Sequence, residues 1–204
     1  MKKRELWIDV ARGIGIILIV IGHSGRHQVH DLIFWFHMSL FFIASGYLDK
    51  GLRDWSEFKP WLIKRFKQLL ILYTSFIILI TIYKIFVELI KGNGFEWISK
   101  NVLNLVLGGN YVSGWFSIFW FVTCLFATQI LFAIIHISLK SNSARFLLIG
   151  IFYLFARVEA RLVSSYDIYI PWNIDVALFT IVYYAFGYYL RIFIYTIFYN
   201  KLIS

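Results

Sequence analysis

Arg12 and His23 stand eleven positions apart in one apolar stretch. It reads Trp7-Ile8-Asp9-Val10-Ala11-Arg12-Gly13-Ile14-Gly15-Ile16 and continues to Ile21-Gly22-His23-Ser24. At 3.6 residues per turn the separation is about three turns, so a helix carries both on one face, roughly 16 Å apart along its axis. Asp9 precedes Arg12 by three residues, a spacing at which carboxylate and guanidinium can pair. One stripe therefore combines an ion pair with an imidazole, the side chain best suited to accept a proton near neutral pH. Two readings fit these residues. Ionisable groups inside a membrane usually face a protein interior or a water path and do chemistry there. Alternatively, Asp9 and Arg12 mark a membrane interface, with Arg12 reaching to headgroups, and His23 is a packing or interfacial histidine. Gly13, Gly15 and Gly22 leave room for a helix or ligand to approach closely.

A second imidazole, His37, lies in Phe34-Trp35-Phe36-His37-Met38-Ser39-Leu40-Phe41-Phe42, as a core histidine or a group that contacts substrate. Two histidines without a neighbouring acid or cysteine cluster are too few to hold a metal, so no metal is expected. The segment Lys59-Pro60-Trp61-Leu62-Ile63-Lys64-Arg65-Phe66-Lys67 interleaves cations with apolar residues. It either holds topology at the lipid surface or recognises phosphate, for which the Arg65 fork is suited. Arg157, Glu159 and Arg161 break a later apolar run, as a helix end or as the lining of a polar substrate path. The phosphate loop GxxxxGK[ST], the zinc motif HExxH and the nucleophile elbow GxSxG do not occur in the sequence, which removes support for those enzyme classes.

The elements that must position these groups follow from composition. The chain has 204 residues, 60% of them hydrophobic and 15% charged, against about 25% charged in a soluble domain. Lipid must solvate much of its surface. Six apolar stretches could span a bilayer: about Leu6–Ser24, Leu32–Leu48, Leu69–Ile90, Trp115–Leu139, Phe146–Val163 and Asn173–Tyr195. The expectation is all-α, a polytopic membrane helix bundle of about six transmembrane helices, with residues 1–204 as a single domain. Lys2-Lys3-Arg4 precedes the first stretch without a small-residue cleavage site, so this stretch is read as a retained helix. Pro171-Trp172-Asn173 is read as the start of the sixth helix, with Asn173 as a cap and Asp175 in its first turn. Tyr111, Trp115, Trp120, Trp172 and Tyr195 are read as interface anchors.

The net charge of +9 lies mainly in short segments between apolar runs. That pattern fits control of topology and not nucleic-acid binding. Lys2, Lys3, Arg4, Arg12, Lys50, Arg53, Lys59, Lys64, Arg65, Lys67, Lys140, Arg145, Arg191 and Lys201 fall on one side, against Arg26, Lys91, Lys100, Arg157 and Arg161 on the other, which is expected to place both termini in the cytoplasm of a multi-pass protein of the cell membrane. Cys124 is the only cysteine and excludes an intramolecular disulfide.

Arg12, ten intervening residues and His23 at the end of an apolar helix resemble the signature of the acyltransferase 3 family. Phe36-His37-Met38-x-Leu40-Phe41-Phe42-x-x-Ser45-Gly46-Tyr47 strengthens the likeness. Trp120-Phe121-Val122-Thr123-Cys124-Leu125-Phe126 and Pro171-Trp172-Asn173-Ile174-Asp175-Val176-Ala177-Leu178 with Gly187-Tyr188 resemble the fucose 4-O-acetylase-like branch. Ser39 stands where the family usually has proline. Members are generally longer, so the chain is expected to correspond to the N-terminal part of their usual length. The resemblance implies transfer of an acetyl group from acetyl-CoA, as acyl donor, to a hydroxyl of a cell-surface glycan or its lipid-linked precursor. It gives His23 the role of general base. Arg12 and Arg65 hold the donor, Asp9 orients Arg12, and His37 and Arg157 contact the acceptor. Membrane lipid and the glycan are the expected partners, and a homo-oligomer stays open. The non-enzymatic alternatives are a glycan or lipid transporter component and an inactive fragment.

Overall fold

The structure is a computed structural model that describes residues 5–22, 27–93, 97, 98, 101, 104, 107, 120–163 and 170–203. Among them the regular elements are α-helices joined by turns, with no strand. They are α1 (Leu6–Gly22), α2 (His27–Leu48), α3 (Trp55–Ile90), α4 (Trp120–Ser138), α5 (Asn142–Val163) and α6 (Ile174–Ile203), the last entered through a 3-10 turn at Pro171–Asn173. The all-helical bundle expected from composition is therefore present.

Its boundaries differ in instructive ways. Helix α3 begins at Trp55, well before the apolar run at Leu69, because Asp54 caps it: the Ser56 amide donates to Asp54 Oδ1 at 2.8 Å, and the Arg53 amide donates to Glu57 Oε2 at 3.0 Å. Asp54 thus caps the first turn while Glu57 reaches back to the amide just before the cap, and the lysines and arginine that follow are good helix formers. Hydropathy marks where a helix meets lipid, not where it starts. Helix α5 likewise runs unbroken through Arg157, Glu159 and Arg161. At the start of α6, Asn173 is not an extended N-cap. Trp172 and Asn173 have φ of 59° and 53°, left-handed backbone that asparagine tolerates better than most residues. Pro171 holds Ile170 extended, so the chain must reverse at the next two residues.

Among the described residues three helical segments are long and apolar enough to cross a membrane: Trp55–Ile90, Trp120–Ser138 and Pro171–Ile197. Helix α1 has 17 residues, about 26 Å at 1.5 Å per residue, slightly under the hydrocarbon thickness of about 30 Å.

The chain divides into two compact units. Met1–Lys50 with Thr180–Ser204 forms the first. Its core is Ile8, Ala44 and Tyr47, covered by Leu190 and Ile194. Gly15 of α1 lies against Phe41 and Leu40 of α2. Helices α2 and α6 meet backbone to backbone. A methyl group built on Gly46 would stand 1.9 Å from the Tyr184 carbonyl oxygen, and one on Gly187 would stand 2.0 Å from that of Ile43. Only glycine permits this crossing.

Gly51–Phe179 forms the second unit. Leu52, Ala133 and Ile137 pack with Phe58 and Trp61, and the His136 ring donates through Nδ1 to the Leu52 carbonyl at 2.9 Å. Arg145 closes the end of α4 by donating to the carbonyls of Leu139 (2.8 Å) and His136 (2.9 Å), which a helix end otherwise leaves unsatisfied. Trp172, half-buried, faces Phe126 with ring centroids 6.3 Å apart.

Candidate functional site

The stripe on α1 places Asp9 and Arg12, both half-buried, within the first unit. Arg12 Nη2 donates to Ser45 Oγ of α2 at 3.3 Å. This bond fixes the direction of a long side chain that otherwise samples many rotamers. Gly13, beside Arg12, has open space where a side chain would be. Helix α1 ends at Gly22, and His23, the expected general base, lies outside the described residues.

His37 of α2 is 2% exposed. Its Nδ1 is 2.8 Å from the Ile33 carbonyl oxygen, one turn earlier. A carbonyl only accepts, so Nδ1 carries the proton, and in the neutral ring the lone pair lies on Nε2. Backbone bonding thereby sets both the tautomer and the ring orientation. Ser45 follows His37 by eight residues, about 12 Å along the helix axis.

A buried polar group near the C-terminal end of α2 escaped the sequence reading. Asp49 is 5% exposed, and Tyr184, fully buried, donates its hydroxyl to Asp49 Oδ2 at 2.6 Å. Arg191 Nη1 donates to the Asp49 carbonyl at 2.9 Å and lies 5.4 Å from the Tyr195 ring centroid. The Tyr195 hydroxyl donates to Glu5 Oε1 at 2.6 Å, and Glu5 Oε2 accepts from Trp7 Nε1 at 3.2 Å. Asp49 and Arg191 thus each make a directed hydrogen bond, as burial of polar groups requires. The one local signal is an acidic residue directly after an apolar helix. Its partners lie 135 and 142 positions away.

In the second unit, Arg65 is half-buried on α3 with its guanidinium 5.9 Å from the Trp61 ring centroid. The contact lets the aromatic face steady a cation with most of its hydrogen-bonding capacity directed elsewhere. Arg157 is exposed on α5. Chemically, the first unit offers a positioned guanidinium and a tautomer-fixed imidazole, and the second a phosphate-competent guanidinium. Taken each by itself, a guanidinium fork suits an anionic group, and a neutral imidazole can accept a proton.

Compared with family models, the chain matches the one described as an acyltransferase domain, over residues 5–199. Compared with curated proteins and with solved structures, it matches none.

Proposed function

The chain belongs to the acyltransferase family whose model covers residues 5–199, and on that premise we propose that it is a membrane O-acyltransferase using acetyl-CoA. The acceptor in this reading is a hydroxyl of a cell-surface glycan or its lipid-linked precursor, as in the fucose 4-O-acetylase-like branch. The observation that carries it is that the family match takes in the whole Asp9–Arg12–His23 stripe, within which Arg12 is held by Ser45.

A sugar hydroxyl is a weak nucleophile at neutral pH, so attack on the thioester needs a base to take its proton. His23 fills that role. The oxygen then bonds to the acetyl carbon, the carbon–sulfur bond breaks, and CoA leaves as a thiol. Arg12 and Arg65 bind the anionic donor, with Asp9 orienting Arg12. His37 and Arg157 contact the acceptor. The basic residues Lys2 to Arg4, those from Lys50 to Lys67, and Lys140 with Arg145 support a placement of both termini in the cytoplasm, where acetyl-CoA is made.

The test supplies membranes containing the full chain with radiolabelled acetyl-CoA and follows label into lipid-linked and polymeric glycan. Label that disappears in His23→Ala is the expected result. Undiminished label in that variant overturns the mechanism, and no label with folded protein overturns the activity.

A further inference from the structure

Helices α3 and α4 pack antiparallel in the second unit. Phe66 meets Phe126 with ring centroids 6.3 Å apart, while Phe58 and Trp61, earlier in α3, pack with Ala133 and Ile137, later in α4. Phe58, Trp61 and Arg65 follow one another at three and four residues, so they share the face of α3 that is turned to α4. All three are half-buried, whereas Lys59, Lys64 and Lys67 around them are exposed. Arg65 thus belongs to the packed side of the helix and not to its solvated side. On α4, Gln129 stands three residues after Phe126 and four before Ala133, on the face turned back to α3. Because Arg65 lies between Trp61 and Phe66, Gln129 and Arg65 come to one level of the same interface.

The polar groups at this level are not bonded to one another. Gln129 is 3% exposed, and its Oε1 is buried without a hydrogen-bond partner among the described residues. Trp61 Nε1 is buried in the same state. The Arg65 guanidinium rests over the Trp61 ring, 5.9 Å from its centroid, and makes no hydrogen bond among the described residues. Buried polar groups left unbonded cost stability, and folded proteins keep few of them. A ligand that brings its own polar groups accounts for all three. An indole N–H can only donate, and so can a guanidinium, whose fork suits phosphate. The lysines around the site favour the same negative charge. Gln129 Oε1 only accepts, so the ligand must also carry an O–H or N–H beside its phosphate. CoA, with hydroxyl and amide groups next to its diphosphate, meets both demands.

We propose that Trp61, Arg65 and Gln129 form a phosphate-binding subsite for the acyl donor, in which Trp61 Nε1 and Arg65 donate to one phosphate group and the Gln129 carbonyl accepts from a neighbouring hydroxyl or amide. The subsite rests on the acetyl-CoA reading above and adds Trp61 and Gln129 to the donor contacts. Half-buried Arg65 is its mouth, and Gln129 is its inner wall.

The full chain, purified in detergent and free of glycan acceptor, is titrated with CoA by isothermal calorimetry, and its melting temperature is measured without ligand. Trp61→Phe keeps the ring beneath Arg65 and removes only the N–H. Gln129→Met keeps the length of the side chain and removes the amide. Each should raise the Kd for CoA about tenfold. Without ligand, Gln129→Met should melt at or above the wild-type temperature, because it deletes an unbonded buried amide. A glutamine with a purely structural role would give the reverse. A lower melting temperature for Gln129→Met, or wild-type affinity for CoA in either variant, overturns the proposal. Failure of the wild type to bind CoA overturns the donor reading itself and the subsite with it. Titration with phosphatidylglycerol micelles tests the other source of phosphate: a loss of affinity in the variants for the lipid and not for CoA assigns the subsite to headgroups and overturns the donor assignment.

Discussion

The Arg12–Ser45 bond ranks two substitutions. Removing the acceptor in Ser45→Ala leaves the charge in place but frees the guanidinium, and a hydrogen bond to a charged group is worth roughly 1.5–3 kcal/mol. If Arg12 binds donor, KM for acetyl-CoA should rise about tenfold with kcat little changed, while Arg12→Lys, which loses the planar fork, should cost more. Steady-state kinetics on both variants checks this order, and an unchanged KM in Ser45→Ala would detach Ser45 from donor binding. Asp54 gives a pH-dependent counterpart. The Ser56 hydroxyl and amide, which favour its charged form, hold its carboxyl below the ordinary 3.8. A depressed folded-state value means that the cap's contribution is present above the unfolded value and is lost as pH falls through the folded one. An NMR titration should show Asp54 protonating below 3.8, with amide exchange at the start of α3 rising in step. Asp54→Ala should remove the dependence and leave the first turn of α3 exchanging faster at all pH values. Arg12 was legible in the sequence as a residue type at a given spacing. Its partner was not, because Ser45 is 33 positions away and nothing local points to it.

Each helix of the bundle could be located from its apolar run, since lipid demands about 20 such residues. What the runs omit is where helices begin and which faces meet. The cap at Asp54 starts α3 about four turns before its apolar run, and the α2–α6 crossing depends on two glycines 141 positions apart in the chain. Sequence reading gave the close-approach role to Gly13, Gly15 and Gly22, yet Gly13 has nothing within 4 Å. Periodicity shows that a helix has a small residue but not what lies opposite. Four of the glycines therefore should respond differently to alanine. At Gly46 or Gly187 the new methyl meets a backbone carbonyl of the neighbouring helix, which cannot rotate away, so either change should cost about 3 kcal/mol or more. Gly15→Ala meets the Phe41 ring at 3.1 Å, which side-chain motion can partly relieve. Gly13→Ala should be neutral or stabilising by up to about 1 kcal/mol, because it adds helix propensity without a contact. Thermal melts of the detergent-solubilised protein should give that order, and a melting temperature for Gly46→Ala equal to wild type would remove the crossing as a structural determinant.

For the molecule as a whole, the proposed orientation rests on the charge distribution. Three groups of lysine and arginine (Lys2 to Arg4, Lys50 to Lys67, and Lys140 with Arg145) all fall on one side if successive apolar stretches cross in turn, and the cost of moving such groups across a membrane is the reason for assigning that side to the cytoplasm in this reading. The single cysteine makes this directly measurable. Cys124 is fully buried, so replacing it with alanine clears the background while removing only a small apolar group from a packed site. In that background Lys50→Cys and Lys140→Cys, both at exposed positions, should react with a membrane-impermeant maleimide only after cells are permeabilised. Lys91→Cys, just past the C-terminal end of α3, should react in intact cells. Reaction at Lys50 in intact cells would invert the bundle and put the Arg12 end of α1 outside. Acetyl-CoA could not reach it there, and the donor role assigned to Arg12 would fall with the orientation.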